Sequence, residues 1–352
     1  MSTNKKRSNT SASRRRASAE RQKARKNVSR NSTISLVIVA VAIVGIFLGR
    51  WIVAIGNGYY EAFVEPSATT AAAVRNMQGL MPTEEEKELL LPLEKQWDLF
   101  CAARLRDEVT CTADDGAQLH GYLYNEGSDV TAVVVPRFYV DGTADFLPGT
   151  ILHELTGCNI LLTDPRSQGG SEGQYFTFGM TEQSDLAAWM RWADSTLGKQ
   201  TFILWGEATG ANTILLAAAN GLLPDSVAFA VAESPYASLR AMATEYIWKW
   251  YSVPRSFLYA IEGKLNGSGA GFKLDDIEVA SALEGASPTL PVLFLTSEGD
   301  TYIQPAWSQD VIDAYTGPKE IITASGSHGT VTAAEQEAVT GALARWAGIY
   351  LK

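Results

Sequence analysis

Apolar and polar positions follow three different patterns along the chain. Between Arg30 and Arg50 nineteen residues, NSTISLVIVAVAIVGIFLG, carry no charge, and the apolar run resumes after Arg50 as WIVAIG. No polar stripe interrupts it, so it does not read as a helix lying on a soluble core. At 1.5 Å per residue, nineteen helical residues reach about 28 Å, the hydrocarbon thickness of a bilayer. Residues 59–100 are rich in helix formers, AAAVRNMQGL and TEEEKELLLPLEKQWDLF, with an acidic first turn at Glu84, Glu85 and Glu86. Strand character follows in VTCT, AQLHGYLY and TAVVVP, and Asp114–Asp115–Gly116 between the first two predicts a hairpin.

From there strands and helices alternate. Short apolar runs at Ala132–Val135, Asn159–Leu162, Thr201–Trp205, Val227–Val231, Pro291–Leu295 and Glu320–Ile322 read as buried parallel strands. Helical stretches fall between them at Thr181–Leu197, Asn212–Asn220, Pro305–Tyr315 and Thr332–Leu351, with Gly198 and Gly221 as stops. The order predicts an α/β domain: a mostly parallel sheet of about eight strands with helices on both faces. Residues 236–283 break the rhythm and contain Trp248, Trp250, Tyr251, Phe257 and Tyr259. They form either a helical cap over a pocket or simply aromatic packing.

The chain has 352 residues, 46% hydrophobic and 19% charged, enough for a sizeable core and too apolar for disorder. Its formal charge of −10 splits into +10 on residues 1–30 and −20 on the rest. That excludes a nucleic-acid surface on the main body, because the basic charge is confined to the N-terminal tail. By the positive-inside bias the tail stays cytoplasmic and the globular part lies on the outer face. A cleaved signal peptide is the competing reading; its basic and apolar regions would be unusually long, and no small-x-small site follows before Tyr59. The expected divisions are a disordered basic tail at 1–30, a single-pass transmembrane anchor at 31–55, a helical stalk at 56–106 and the α/β domain at 107–352. Cys101 and Cys111 are close enough in sequence to bridge, and three reduced core thiols including Cys158 are the equal alternative. No cysteine and histidine cluster has metal spacing.

The candidate chemistry lies where strand TFILW enters Gly206–Glu207–Ala208–Thr209–Gly210 and then the helix ANTILLAAAN. This is the setting of the nucleophile elbow G-x-S-x-G, whose tight turn projects the central side chain while the next backbone N–H faces a developing oxyanion. Here the central residue is Ala208, which has no hydroxyl.

The chain resembles the α/β hydrolases, in particular the membrane-anchored bacterial serine aminopeptidase-like group. The likeness runs over residues 107–352 through ordered blocks: DDGAQLHGYLY, AVVVP, LLTDPRSQGGSEGQYFTFGMTEQSDLAAWMRW, GEATGANTILLAA, AESPYASL, LFLTSEGDTYIQP and SGSHG. It implies Asp300 as catalytic acid and His328 as base, with Ala208 at the nucleophile position. The implied oxyanion donors are the backbone N–H groups of Thr209 and of Phe138. The loop after AVVV, which in the family reads His-Gly-aromatic, is Pro136–Arg137–Phe138–Tyr139, a second departure at the same site. Divergence, or an engineered Ser→Ala exchange at 208, would give this sequence.

Without the serine, turnover through an acyl-enzyme falls by about a million-fold in enzymes of known mechanism. Three functions follow as expectations. A catalytically degenerate hydrolase would bind a small ester, acyl or peptide ligand, or a protein partner of unknown kind, in a pocket bounded by Ala208, His328 and residues 236–283. A hydrolase using His328 and Asp300 to activate water is the alternative, and a structural envelope protein the third. No cofactor is implied, since GEATG is accounted for by the elbow.

Overall fold

The computed structural model describes residues 4–65, 84–138, 149–252, 255, 258–286 and 288–351. The chain divides into two units, 1–55 and 56–352. The first is helical throughout its described part and belongs to α1 (Asn4–Phe63). Its apolar side chains, among them Leu36, Ile38, Val41, Ile46 and Phe47, are exposed. Among the described residues α1 is the one helix long and apolar enough to cross a membrane. The basic tail, expected to be disordered, is helical from Asn4 onward. Its Arg, Lys, Ala, Glu and Gln are good helix formers, and extending an existing helix avoids the unfavourable nucleation step.

The second unit begins with the last turns of α1, where Tyr59, Tyr60, Phe63 and Val64 are buried. Part of the segment read as helical, AAAVRNMQGL, lies outside the described residues, as do Tyr139, the rest of its loop and Phe257. α2 (Glu84–Ala102) follows, and its Leu93, Trp97 and Phe100 join the main core. Residues that the sequence reading grouped as a stalk thus pack into the same unit as the sheet.

The sheet contains β1 (Asp107–Thr112), β2 (Gln118–Tyr124), β3 (Val130–Val135), β4 (Asn159–Thr163), β5 (Thr201–Glu207), β6 (Val227–Glu233), β7 (Val292–Ser297) and β8 (Lys319–Ala324). Their spatial order is β1-β2-β4-β3-β5-β6-β7-β8. β1 and β2 form the expected hairpin, β2 runs antiparallel to β4, and the remaining pairs are parallel.

Alternation along each strand divides the sheet's side chains between two layers. Ala132, Val134, Ile160, Leu162, Ile203, Trp205, Phe229, Val231, Leu293 and Leu295 pack with α2, with α3 (Gly149–Thr156) and with α11 (Gln336–Tyr350). The opposite residues, such as Val133, Leu161, Leu204 and Phe294, are equally buried. That side carries α4 (Glu182–Leu197) and α5 (Thr209–Ala219), which pack on each other.

The insertion after β6 is helical, with α6 (Leu239–Tyr251), α7 (Leu258–Ser268), a short 3-10 turn and α8 (Val279–Gly285). α9 (Pro305–Ala314) and the short α10 (Val331–Ala334) complete the set. Cys101, Cys111 and Cys158 are all free thiols. Cys101 Sγ accepts a hydrogen bond from the Tyr124 hydroxyl at 3.2 Å, which leaves the reduced alternative as the observed one.

Candidate active site

The C-terminal ends of β3, β5, β6, β7 and β8 bring the candidate residues together, the usual place for ligands in an open parallel sheet. β5 turns into α5 at Ala208, whose φ of +47° and ψ of −108° are strained for a side-chain-bearing residue. The turn is fixed by close packing. A Cβ on Gly206 would lie 2.4 Å from the Gly210 carbonyl carbon, and one on Gly210 would lie 1.9 Å from the Val135 oxygen. Only glycine permits this approach of β3 to the start of α5. Ala208 is almost fully buried, its N–H donates to the Glu233 carbonyl at 2.9 Å, and its own carbonyl accepts the first helical bond from Asn212.

Asp300 sits in the turn after β7 and has all its acceptor positions occupied. Oδ1 accepts from the backbone N–H groups of Tyr302 at 2.8 Å and Ile303 at 2.7 Å. Oδ2 accepts from Ser234 Oγ at 3.1 Å and lies 2.7 Å from His328 Nδ1. His328, in the loop after β8, is thereby oriented with Nδ1 toward the acid, and the Tyr302 ring packs on it at 4.9 Å between centroids. Such an acid fixes the tautomer and ring position of a general base.

His328 Nε2, the nitrogen that would meet a nucleophile, faces a carboxylate instead. It lies 3.1 Å from Glu207 Oε1, without the alignment of a hydrogen bond. The same oxygen accepts from Arg137 Nη1 at 3.1 Å. Arg137 therefore joins the loop after β3 to the elbow through Glu207. Glu233, at the end of β6, is fully buried with Oε1 unpartnered. Burial and the neighbouring Glu207 charge push its carboxyl up to about 8, with Arg137 acting in the opposite direction. Thr209 Oγ1 and the Tyr236 hydroxyl are also buried without hydrogen-bond partners.

Phe138 lies in the loop after β3, and its ring is held in an aromatic cluster with Phe63 at 5.2 Å, Phe176 at 4.8 Å and Phe178 at 5.7 Å. Of the described cavities, one of about 410 Å³ lies between α6, the Asp300 loop and α9, and a smaller one lies beside Arg166. Neither is lined by Ala208 or His328, so the pocket expected at those residues is not among them. The structure thus groups Ala208, Thr209, Asp300 and His328 and adds Glu207, Glu233 and the Arg137 link. Sequence reasoning takes Arg137 only as standing where the resembling family has glycine. An acid next to the elbow and a cation in the facing loop are the available signal for their pairing.

The other two histidines are committed elsewhere. His120 Nδ1 lies 2.7 Å from Asp164 Oδ2, and His153 Nδ1 lies 3.1 Å from the Cys158 carbonyl. Ser171 Oγ donates to the Asp164 carbonyl at 2.8 Å. Among the described residues no group of three or more His, Cys, Asp or Glu is arranged to hold a metal ion.

No protein-family model matches the chain. It is 28% identical over 177 residues to the uncharacterised protein YqkD of Bacillus subtilis (strain 168). That alignment covers 49% of this chain and 56% of YqkD, so the chain matches little more than half of that relative's length. Among solved structures it is similar to the Pyrococcus furiosus esterase Pf2001, with a TM-score of 0.58 and 18% identity over 71% of this chain and 93% of that one. DcsB in complex with its substrate analogue gives 0.54 with 20% identity over 70% and 99% of the two chains. The α/β hydrolase GrgF from Penicillium sp. sh18 gives 0.52 with 20% identity over 70% and 99%.

Proposed function

We propose that this chain, whose fold is that of the α/β hydrolases, is a membrane-anchored, catalytically silent relative of serine esterases and peptidases with a ligand- or partner-binding role. One observation carries the reading. The strained elbow and the paired Asp300 and His328 are present, yet the elbow's central side chain is a methyl group. A methyl cannot attack a carbonyl, and Thr209, next in the chain, is the first residue of α5 with its hydroxyl buried. Direct activation of water by His328 is the competing route. Against it stands the carboxylate of Glu207, already at Nε2, where such a water would have to sit.

The anchor reading is supported by the apolar length of α1 and the basic residues before it. It places the N-terminus in the cytoplasm and the unit from Gly56 on the outer face. Protease added to intact cells should then remove the globular unit and leave the tail.

The catalytic reading is tested with the full chain in detergent, using p-nitrophenyl acetate and a fluorophosphonate probe. The expected result is no covalent labelling and no hydrolysis above the rate of a His328→Ala variant. Turnover that His328→Ala abolishes would instead establish the water route.

A further inference from the structure

We infer that residues 59–65 are a plug built into the chain: they fill an aromatic slot beside the elbow, and the apolar ligand that this slot takes must displace them. The inference rests on the reading above only in taking the elbow as the binding site. Tyr59, Tyr60, Phe63 and Val64 are each at most 2% exposed. The Phe63 ring stacks on Tyr59 at 4.6 Å between centroids and on Phe138 at 5.2 Å. Phe138 belongs to the loop after β3, at the position of an implied oxyanion donor, and its ring continues into Phe176 and Phe178. At its other end the segment meets the insertion. Burial raises the Tyr236 and Tyr246 hydroxyls well above the ordinary tyrosine value, and Tyr302 and Tyr59 are among the neighbours that raise them further. Tyr302 packs in turn on His328. The segment therefore reaches from the loop after β3 to the rings beside the candidate base. Ala208 is 2% exposed and lines neither described cavity, as a filled pocket requires.

The segment is not part of the main core. That core takes Leu93, Trp97 and Phe100 from α2 but none of Tyr59, Tyr60, Phe63 and Val64, which instead pack at the elbow end of the sheet. Its last residues are tied to the loop that carries Phe176. The Val64 carbonyl accepts from the Phe176 N–H at 2.8 Å, and Gln174 Nε2 donates to Glu65 Oε1 at 2.9 Å on the exposed surface. α7 closes on the preceding turn, where a Cβ on Gly56 would lie 2.6 Å from the Ala260 carbonyl oxygen. Withdrawal of Phe63 would uncover the face of Phe138, with Phe176 and Phe178 around it. A flat ring or an acyl chain can replace Phe63 there contact for contact, because burial of apolar surface has no directional requirement. A charged group entering between these rings would lose its hydration without gaining a partner from them.

The test reads access to the elbow rather than turnover, so its outcome is separate from whether the elbow is silent. Ala208→Cys in the full chain, in detergent, is treated with benzyl methanethiosulfonate as a neutral aromatic reagent and sulfonatoethyl methanethiosulfonate as an anionic one, and labelling at each cysteine is followed by peptide mass spectrometry. Position 208 should react slowly, and Phe63→Ala should speed its reaction with the benzyl reagent at least about tenfold, with a smaller gain for the anionic one. Cys158, fully buried in the main core, is the internal control and should stay unreactive. Where Cys158 labelling rises in step, Phe63→Ala has unfolded the domain and Gln174→Glu decides instead. That exchange sets a second carboxylate against Glu65 at an exposed position and should speed labelling at 208 by about two- to fivefold. Labelling at 208 that is already as fast as in the unfolded chain, or that Gln174→Glu leaves unchanged, would overturn the plug. Equal gains for the two reagents would overturn the apolar ligand class.

Discussion

Placing a serine at the elbow should supply hydrolysis only in part, and the structure indicates how much. Ala208→Ser adds one oxygen to a Cβ already held in the elbow conformation, with Asp300 and His328 paired at 2.7 Å. The acid and base need no rebuilding. Two features oppose full recovery. The new hydroxyl must compete with Glu207 Oε1, 3.1 Å from Nε2, and Arg137 holds the loop after β3 to that same carboxylate. Loss of the serine costs about 10⁶ in turnover where everything else is intact, and one poorly placed oxyanion donor costs about 10² to 10³. Ala208→Ser alone should therefore raise p-nitrophenyl acetate hydrolysis by about 10³-fold, equivalent to about 4 kcal/mol of barrier. Adding Arg137→Gly, which frees the loop and removes one tie on Glu207, should add about another 10². Fluorophosphonate labelling followed by peptide mass spectrometry should place the adduct at position 208 and lose it with His328→Ala. Labelling of Ala208→Ser that survives His328→Ala would refute the reasoning, as would an Arg137→Gly addition that slows the reaction.

Three further outcomes follow from the packing. Glu233, raised to about 8 from an ordinary 4.5, keeps in the folded state a proton that the unfolded chain has released. Stability should therefore be highest below about pH 4.5 as far as this group is concerned and fall as pH rises toward 8, and Glu233→Gln should flatten that part of a Tm-against-pH curve. Arg166 is paired with buried Asp185 at 2.6 Å, and burial raises that acid to about 6 despite the guanidinium. Arg166→Ala should cost about 3 to 5 kcal/mol by stranding the carboxylate, read calorimetrically as a Tm lower by about 10 °C, on the order expected for a unit of this size. Finally, Ellman titration of the unfolded chain without reductant should find three thiols, while in the native state Cys111, pushed up to about 11 by burial, reacts slowly.

Much of this was legible in the sequence because it is periodic. Each buried strand is a short run of β-branched and apolar residues, and each found its place within two or three residues, as at Thr201–Glu207 and Val292–Ser297. The elbow was legible because glycines on both sides of a strand-to-helix junction have a steric meaning that does not depend on the central side chain. α3 (Gly149–Thr156) was missed, since eight residues hold too few turns to show a period. The Glu207 and Arg137 link was not legible either. Its partners are 70 positions apart and meet only because β3 and β5 are neighbours, with Val135 opposite Gly206. Nor could composition show that Tyr59 and Phe63, next to the apolar run, would be buried in the globular unit and that Phe63 would stack on Phe138.

The arrangement of Asp300, His328 and the two elbow glycines around Ala208 has a structural explanation that does not require catalysis. Gly206 and Gly210 are set by backbone contacts under 3 Å to any added Cβ, so neither can change without moving β3 or α5. Asp300 closes its own turn through two backbone N–H groups and also ties Ser234 from β6 to His328 from the β8 loop. Removing it would leave four buried donors without an acceptor, at about 1 to 3 kcal/mol each. Parts that each hold the fold together are what the binding domain proposed above would keep. In such a domain Ala208→Ser should change Tm by less than about 1 kcal/mol equivalent, while Asp300→Ala should lower it severalfold more.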